Sequence, residues 1–204
     1  MDSAFLITAF VTLFVVMDPI GLTPVFIALT QGMGASYRRQ MAVRACLIAL
    51  ALLALFTVFG ESLLGFIGIS MPAFRIAGGI LLLLTALDML FERRSQRREG
   101  QSIEPHHDPS VFPLATPLIA GPGAIATVIL LKGQTGGGWA GIGTVMGLVV
   151  AVLLLTFALF LVATPLERLL GRTGTNVITR LLGMLLAALS VQFVIDGLKG
   201  SGLF

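Results

Sequence analysis

Apolar runs separated by short polar or glycine-rich turns divide the chain into six stretches, near 4–30, 41–60, 72–91, 111–131, 140–163 and 178–198. A helix needs about 20 apolar residues to cross a bilayer, and each stretch meets that length. The pattern predicts an all-α polytopic membrane protein with six transmembrane helices. The first run has Asp2 ahead of it, no basic n-region and no small-residue cleavage site, so it reads as a retained span rather than a signal peptide. Span 2 is rich in Ala and Leu, and span 5 is almost purely aliphatic and expected to face lipid.

Two of the six runs are interrupted in a way that a plain membrane helix has no reason to be. Span 1 carries Asp18-Pro19-Ile20-Gly21, with Thr23 and Pro24 just beyond. Asp18 suits an N-cap, because its side-chain oxygen can accept from the free amides of the next turn. Pro19 suits the first helical position, where its missing N–H leaves nothing unsatisfied. Span 4 repeats the device at Ala120-Gly121-Pro122-Gly123. Both runs are therefore predicted to stop and restart deep in the membrane. A pair of interrupted spans at corresponding positions points to a transport site.

The halves echo one another at a separation of about 105 residues. Pro19 matches Pro122, Glu61-Ser62-Leu63-Leu64-Gly65 matches Glu167-Arg168-Leu169-Leu170-Gly171, and Arg75-Ile76-Ala77-Gly78 matches Arg180-Leu181-Leu182-Gly183. The expected organisation is a first three-helix repeat over 1–91, a linker over 92–110 and a second repeat over 111–204. Three is odd, so the second repeat enters the bilayer from the opposite side and the repeats are inverted. Two such halves can exchange conformations and open one central site to each side in turn.

Composition narrows the class. Hydrophobic residues make up 56% of the chain and charged ones 11%, against about 25% charged in soluble domains. The net charge of +3 invites a nucleic-acid reading, but the distribution of bases opposes it. Arg38, Arg39, Arg44, Arg93, Arg94, Arg97, Arg98, Arg168, Arg172 and Arg180 flank the loops after spans 1, 3 and 5, leaving only Arg75, Lys132 and Lys199 for the other side. That bias is a topology signal which places the arginines in the cytoplasm and both termini outside. The Arg93–Arg98 cluster is what a cytoplasmic loop carries, with anionic headgroups as its other reading. His106-His107-Asp108 reads as solvated loop before metal tract. Trp139, the only tryptophan, is expected at headgroup level. Cys46 cannot form an intramolecular disulfide and reads as packing.

The chemistry is expected at the interruptions. Helices restarting at Pro19 and Pro122 would present free N–H groups and positive dipole ends, a ready site for a carboxylate. Gly21, Gly121 and Gly123 would let a ligand touch backbone, and Thr23, Thr116 and Thr127 supply hydroxyls nearby. Asp18 is either a satisfied cap, a partner for an ammonium or a carboxyl that carries a proton. Arg75 and Arg180 are expected to pair with Glu61 and Glu167 or to snorkel to the interface, with gating or attracting an anion as the other reading. Gln192 is expected to bond across helices. No Ser/His pair, metal-spaced ligand set or nucleophile elbow is present, so no enzyme, cofactor or metal is expected. The leading reading is a secondary transporter in the lipid bilayer with a small-molecule substrate, a coupled H+ or Na+, and room for homo-oligomerisation. A non-transporting scaffold whose kinks serve packing is the alternative. A channel would need a polar lining that spans 2 and 5 lack.

These motifs also resemble a known family. Asp18-Pro19-Ile20-Gly21 with Pro24 is similar to the first-helix motif of the MarC family of bacterial integral membrane proteins, where Asn or Asp precedes the proline. Phe74 to Gly79 resembles its third helix, Pro117 to Ile125 its fourth, and Arg180 to Gly183 with Val191 to Gly197 its sixth. The resemblance implies a six-span inner-membrane protein related to the LysE-type exporters. It also implies a transporter of neutral amino acids such as glycine and alanine, as for some members of that family.

Overall fold

Span 1 is two helices separated by a single residue: α1, Ser3–Met17, and α2, Pro19–Leu29, with Asp18 between them. The computed structural model describes residues 3–91, 108–136 and 138–202. Within these every regular element is helical. The linker residues Arg93, Arg94, Arg97, Arg98, His106 and His107 lie outside the described residues. α3 runs Ala35–Ile67 and ends at Gly68, whose φ of +82° favours glycine. Ser70 then caps α4, Met71–Leu90, its hydroxyl accepting from Ala73 N–H at 3.3 Å. α7 spans Gly138–Leu161, and α8 spans Ala163–Gly200 with a break at Gly171, φ +62°. The sequence aligns Gly65 with Gly171, but the chain turns at Gly68 in one half and at Gly171 in the other.

Span 4 departs furthest from expectation. Its second arm, α6 over Pro122–Gln134, is a regular helix. Its first arm, α5 over Ser110–Ile119, is not, because Phe112 and Thr116 take extended backbone angles ahead of Pro113 and Pro117. A residue before proline is driven out of the helical region by the ring, and two such positions four residues apart leave little regular helix. The arms meet at a 52° bend, while span 1 passes as one 27-residue span. Among the described residues, five helices are thus long and apolar enough to cross a membrane, or six if the bent pair counts as one span.

Glycines bring the spans together. An ideal Cβ on Gly79 would stand 2.8 Å from the Ser190 carbonyl oxygen, one on Gly183 3.3 Å from the Ala86 oxygen, and one on Gly197 2.9 Å from the Pro72 oxygen. These contacts run in opposite order along α4 and α8, so the two helices are antiparallel. Small residues let the backbones approach this closely in lipid, where dispersion and complementary shape drive association. α3 and α7 are antiparallel as well: Cys46 Sγ lies 3.9 Å from the Leu153 carbonyl of α7, and Arg38 Nη1, near the start of α3, donates at 3.1 Å to Thr164 Oγ1, at the start of α8 just past the end of α7. α4 packs on α6, and α8 packs on α2. Gln192 does not cross helices as expected. Its amide donates to Asp196 Oδ1, one turn along α8, at 2.8 Å.

Large apolar side chains such as Leu47, Phe59, Leu84 and Leu154 remain exposed on α3, α4 and α7, as the bilayer requires. Inside, Thr57 and Thr156 return their hydroxyls to carbonyls four residues back, at 2.7 and 2.8 Å, so neither leaves an unpaired group in a water-free core. Phe26 of α2 stacks on Phe160 of α7 at 4.4 Å, with the Arg38 guanidinium 5.7 Å from the Phe26 ring centroid.

Two ion pairs tie α3 to span 4, one at each end. Arg44 Nη1 meets Asp108 Oδ2 at 2.6 Å at the arginine-rich end. Lys132 Nζ meets Glu61 Oε2 at 2.5 Å at the other. The Asp108 carboxyl is held below the usual carboxylate range, first by the Ser110 hydroxyl at 2.7 Å, then by the Ser110 N–H at 3.0 Å, and least by Arg44.

Three outcomes are expected. Gly79→Ala drives a methyl into the α8 backbone and lowers stability by about 1–3 kcal/mol. Gly147→Ala, which meets no neighbour within 4 Å, leaves the thermal unfolding midpoint in detergent unchanged or raised. The Asp108 tether follows the sign for a depressed carboxyl. Its contribution is complete above the unfolded value of about 3.9 and is lost as pH falls through the lower folded value. Because the pair is well exposed, the loss is below about 1 kcal/mol, and hydrogen exchange at Ser110 and Val111 between pH 6 and 3 reads it.

Candidate functional site

Asp18 is the only non-glycine among the described residues with positive φ, at 50°, and its ψ is 58°. A left-handed residue costs on the order of 1 kcal/mol, and Asp is among the few side chains that tolerate it. The geometry keeps the hydrogen-bond ladder running through the interruption: Asp18 N–H donates to the Phe14 carbonyl at 2.9 Å, and Leu22 N–H to the Asp18 carbonyl at 3.0 Å. Pro19 has no N–H to satisfy. The Gly21 N–H donates to Asp18 Oδ1 at 3.1 Å. Asp18 therefore does cap α2, as its residue type predicts, though from the left-handed region instead of the extended one usual for a cap.

Gly21 is required by this arrangement. A Cβ there would lie 2.1 Å from Asp18 Oδ2 and 2.7 Å from Asp18 Cγ. The glycine serves the carboxylate first, and any ligand only afterwards. Asp18 has none of its surface exposed, and it sits between the buried Met17 and Pro19. Thr23, also buried, returns its hydroxyl to the Pro19 carbonyl at 3.1 Å.

The second interruption is built differently. Gly121 begins α6 with no side-chain cap, and its carbonyl accepts from Ile125 N–H at 3.0 Å. Thr127 is buried and returns its hydroxyl to the Gly123 carbonyl at 2.8 Å. Pro122 and Thr116 are exposed, and Gly121 is half-buried. Thr116 thus stands away from the buried part of the site.

The two interruptions meet through Gly123. A Cβ on it would stand 3.3 Å from Val16 Cγ1, two residues before Asp18, and 3.2 Å from Leu82 Cδ2 of α4. Asp18, Pro19, Gly21 and Thr23 thus lie on one side of this contact, with Gly123 and Thr127 on the other. Their helix ends are not equivalent. The end at Pro19 is already closed by the Asp18 carboxylate, which corrects the expectation of two open helix ends. Only the end at Pro122 has no carboxylate of its own. Leu82 and Thr85 of α4, whose Oγ1 lies 3.7 Å from the same ideal Cβ, also reach the site. Their signal in the sequence is faint: both fall on the α4 face begun by Gly78, at helical spacing.

The predicted pairing of Arg75 with Glu61 does not form. Glu61 is taken by Lys132, not by Arg75. Arg75 is half-buried, and its Nε is buried without a hydrogen-bond partner. Arg180 is exposed, and the side chain of Glu167 lies outside the described residues. Topology alone could have paired Glu61 with Lys132, since the ends of spans 2 and 4 fall on one face.

Comparison with known proteins agrees with this architecture. The chain matches the MarC family of integral membrane proteins over residues 3–201. It is 37% identical over 207 residues to a UPF0056 membrane protein of Methanocaldococcus jannaschii, covering 98% of this chain and 99% of that one. It is 38% identical to the UPF0056 membrane protein YvbG of Bacillus subtilis, covering 97% and 95% of the two chains. It is 35% identical to the UPF0056 inner membrane protein YhgN of Escherichia coli, covering 95% and 96%. No solved structure matches. With residues 3–201 matched, the chain belongs to the MarC family of integral membrane proteins.

Proposed function

We propose that the chain is an inner-membrane secondary transporter of small neutral amino acids, glycine- or alanine-like, or of related small metabolites, and that it alternates access around the paired interruptions. The observation that carries this reading is Asp18: a wholly buried carboxylate in a left-handed residue, at a helix interruption that meets a second one. Intramembrane carboxylates are expensive and mark substrate or proton pathways. The unequal helix ends suit a zwitterion. Its ammonium would face Asp18, and its carboxylate the uncapped amides of α6. Asp18 would alternatively carry the coupling proton, with H+ or Na+ as the driving ion.

Inverted repeats fit the packing. Equivalent spans of two inverted halves must run antiparallel, and α3 with α7 and α4 with α8 do so. The exchange of α4 on α6 for α8 on α2 follows the same symmetry. The arginine bias would place the linker in the cytoplasm and both termini outside.

The closed packing favours a second reading. Asp18 has no exposed surface, and Val16 and Leu82 fill the space beside Gly123. An occluded transporter is filled in this way, and so is a non-transporting scaffold.

Flux separates the two. Purified protein in proteoliposomes is expected to move radiolabelled glycine or alanine across the bilayer; no flux of either would leave the scaffold. Asp18→Asn keeps an oxygen for the Gly21 amide and removes the charge. A charged hydrogen bond is worth about 1.5–3 kcal/mol, so flux should fall roughly tenfold or more and lose its pH dependence. Equal flux and an equal pH profile would remove Asp18 from both roles. Gly21→Ala, which displaces the carboxylate, should cost about 1–3 kcal/mol of stability and abolish flux. Gly65→Ala, with open space around it, should do neither.

A further inference from the structure

Arg75 carries a charge that neither the ion pairs nor the proposed transport site uses. α4 and α6 are antiparallel. An ideal Cβ on Gly123 would meet Leu82, one on Gly78 would meet Leu130 at 3.1 Å and Ala126 at 3.5 Å, and one on Gly133 would meet the Met71 methyl at 3.5 Å. Arg75 lies four residues from Met71 and three from Gly78, so it shares their face. This register sets it at the level of the α6 turn that carries Lys132.

Among the described residues, the charges at this end do not balance. Glu61 is committed to Lys132 at 2.5 Å. On α8, Asp196 accepts from Gln192 at 2.8 Å, and Lys199 is exposed. Arg75 has no acceptor among the described residues, and its Nε is buried. Among the described residues here, three cations thus meet two carboxylates, and Arg75 is the half-buried cation left without one. A buried donor without a partner costs about 1–3 kcal/mol, and more for a charged group, which calls for a ligand. The guanidinium fork matches the paired oxygens of a carboxylate or phosphate.

We propose that Arg75, with the Lys132 turn of α6, forms an oxyanion site at the Glu61–Lys132 end of the bundle. The site takes a carboxylate or a phosphate group. It is separate from the interruption at Asp18 and does not depend on the transport reading. Entry of the anion requires a rotamer change of the long Arg75 side chain to present its Nε and Nη groups together.

The test titrates full-length protein in neutral detergent with sodium acetate and, separately, with dioleoylphosphatidylglycerol, against sodium chloride at equal ionic strength. Thermal shift and native mass spectrometry read the binding. The wild type should give a saturable response to at least one probe, specific over chloride. Arg75→Gln should weaken it by about tenfold or more, the loss of one charged hydrogen bond. Arg75→Lys should fall between the two. Glu61→Gln, which frees Lys132 and leaves Arg75 untouched, should tighten binding. Asp18→Asn should leave it unchanged, so failure of the transport reading and failure of this one are distinguishable. A response to acetate assigns a free carboxylate ligand, and a response to the lipid alone assigns a phosphate headgroup. Wild-type affinity in Arg75→Gln for both probes, no tightening in Glu61→Gln, or no saturable response in the wild type would overturn the proposal.

Discussion

The bond from the Gly21 amide to the Asp18 carboxylate is the constraint around which the rest of span 1 is arranged. In lipid, every backbone polar group must find a partner inside the protein, so a helix cannot simply stop. Here the interruption is confined to one residue. The carbonyl and amide of Asp18 remain in the ladder, Pro19 has no donor to lose, and the Asp18 side chain satisfies the next amide but one. The span therefore continues across the interruption as a single 27-residue unit. That solution requires glycine at position 21, because any Cβ there would occupy the space of the carboxylate.

Span 4 meets the same demand differently. Its bend is open, at 52°, and its first arm is disrupted by two extended residues ahead of prolines. No side chain caps α6. The result is a polar asymmetry in the centre of the protein. A carboxylate stands on one side of the Gly123 contact, and an uncapped helix end on the other.

The same economy governs helix association. With no water to expel, lipid-embedded helices associate through close contact, and the glycines of α4 and α8 allow it by bringing each backbone against the other. The two ion pairs described stand toward the ends of the bundle. Arg44 with Asp108 and Glu61 with Lys132 join α3 to opposite ends of span 4. The second pair is the less exposed of the two, and by engaging Glu61 it leaves Arg75 without the partner its position in the sequence suggested.

Six apolar runs, their interruptions at Asp18-Pro19 and Gly121-Pro122, and the arginine bias could all be read from the chain alone. These depend on local quantities: run length against bilayer thickness, the missing N–H of proline, and the cost of charge in lipid. Asp18 as a cap was legible for the same reason, since cap and amide are three residues apart. What the sequence did not determine is everything that needs a second helix. The Glu61 partner, the contact of Gly123 with Val16, the exposure of Thr116 and the turn of Gln192 toward Asp196 depend on the register and rotation of packed helices. An apolar run in lipid carries little information about either, because lipid-facing and core-facing residues are almost equally hydrophobic. Tertiary packing alone decided which of them meet.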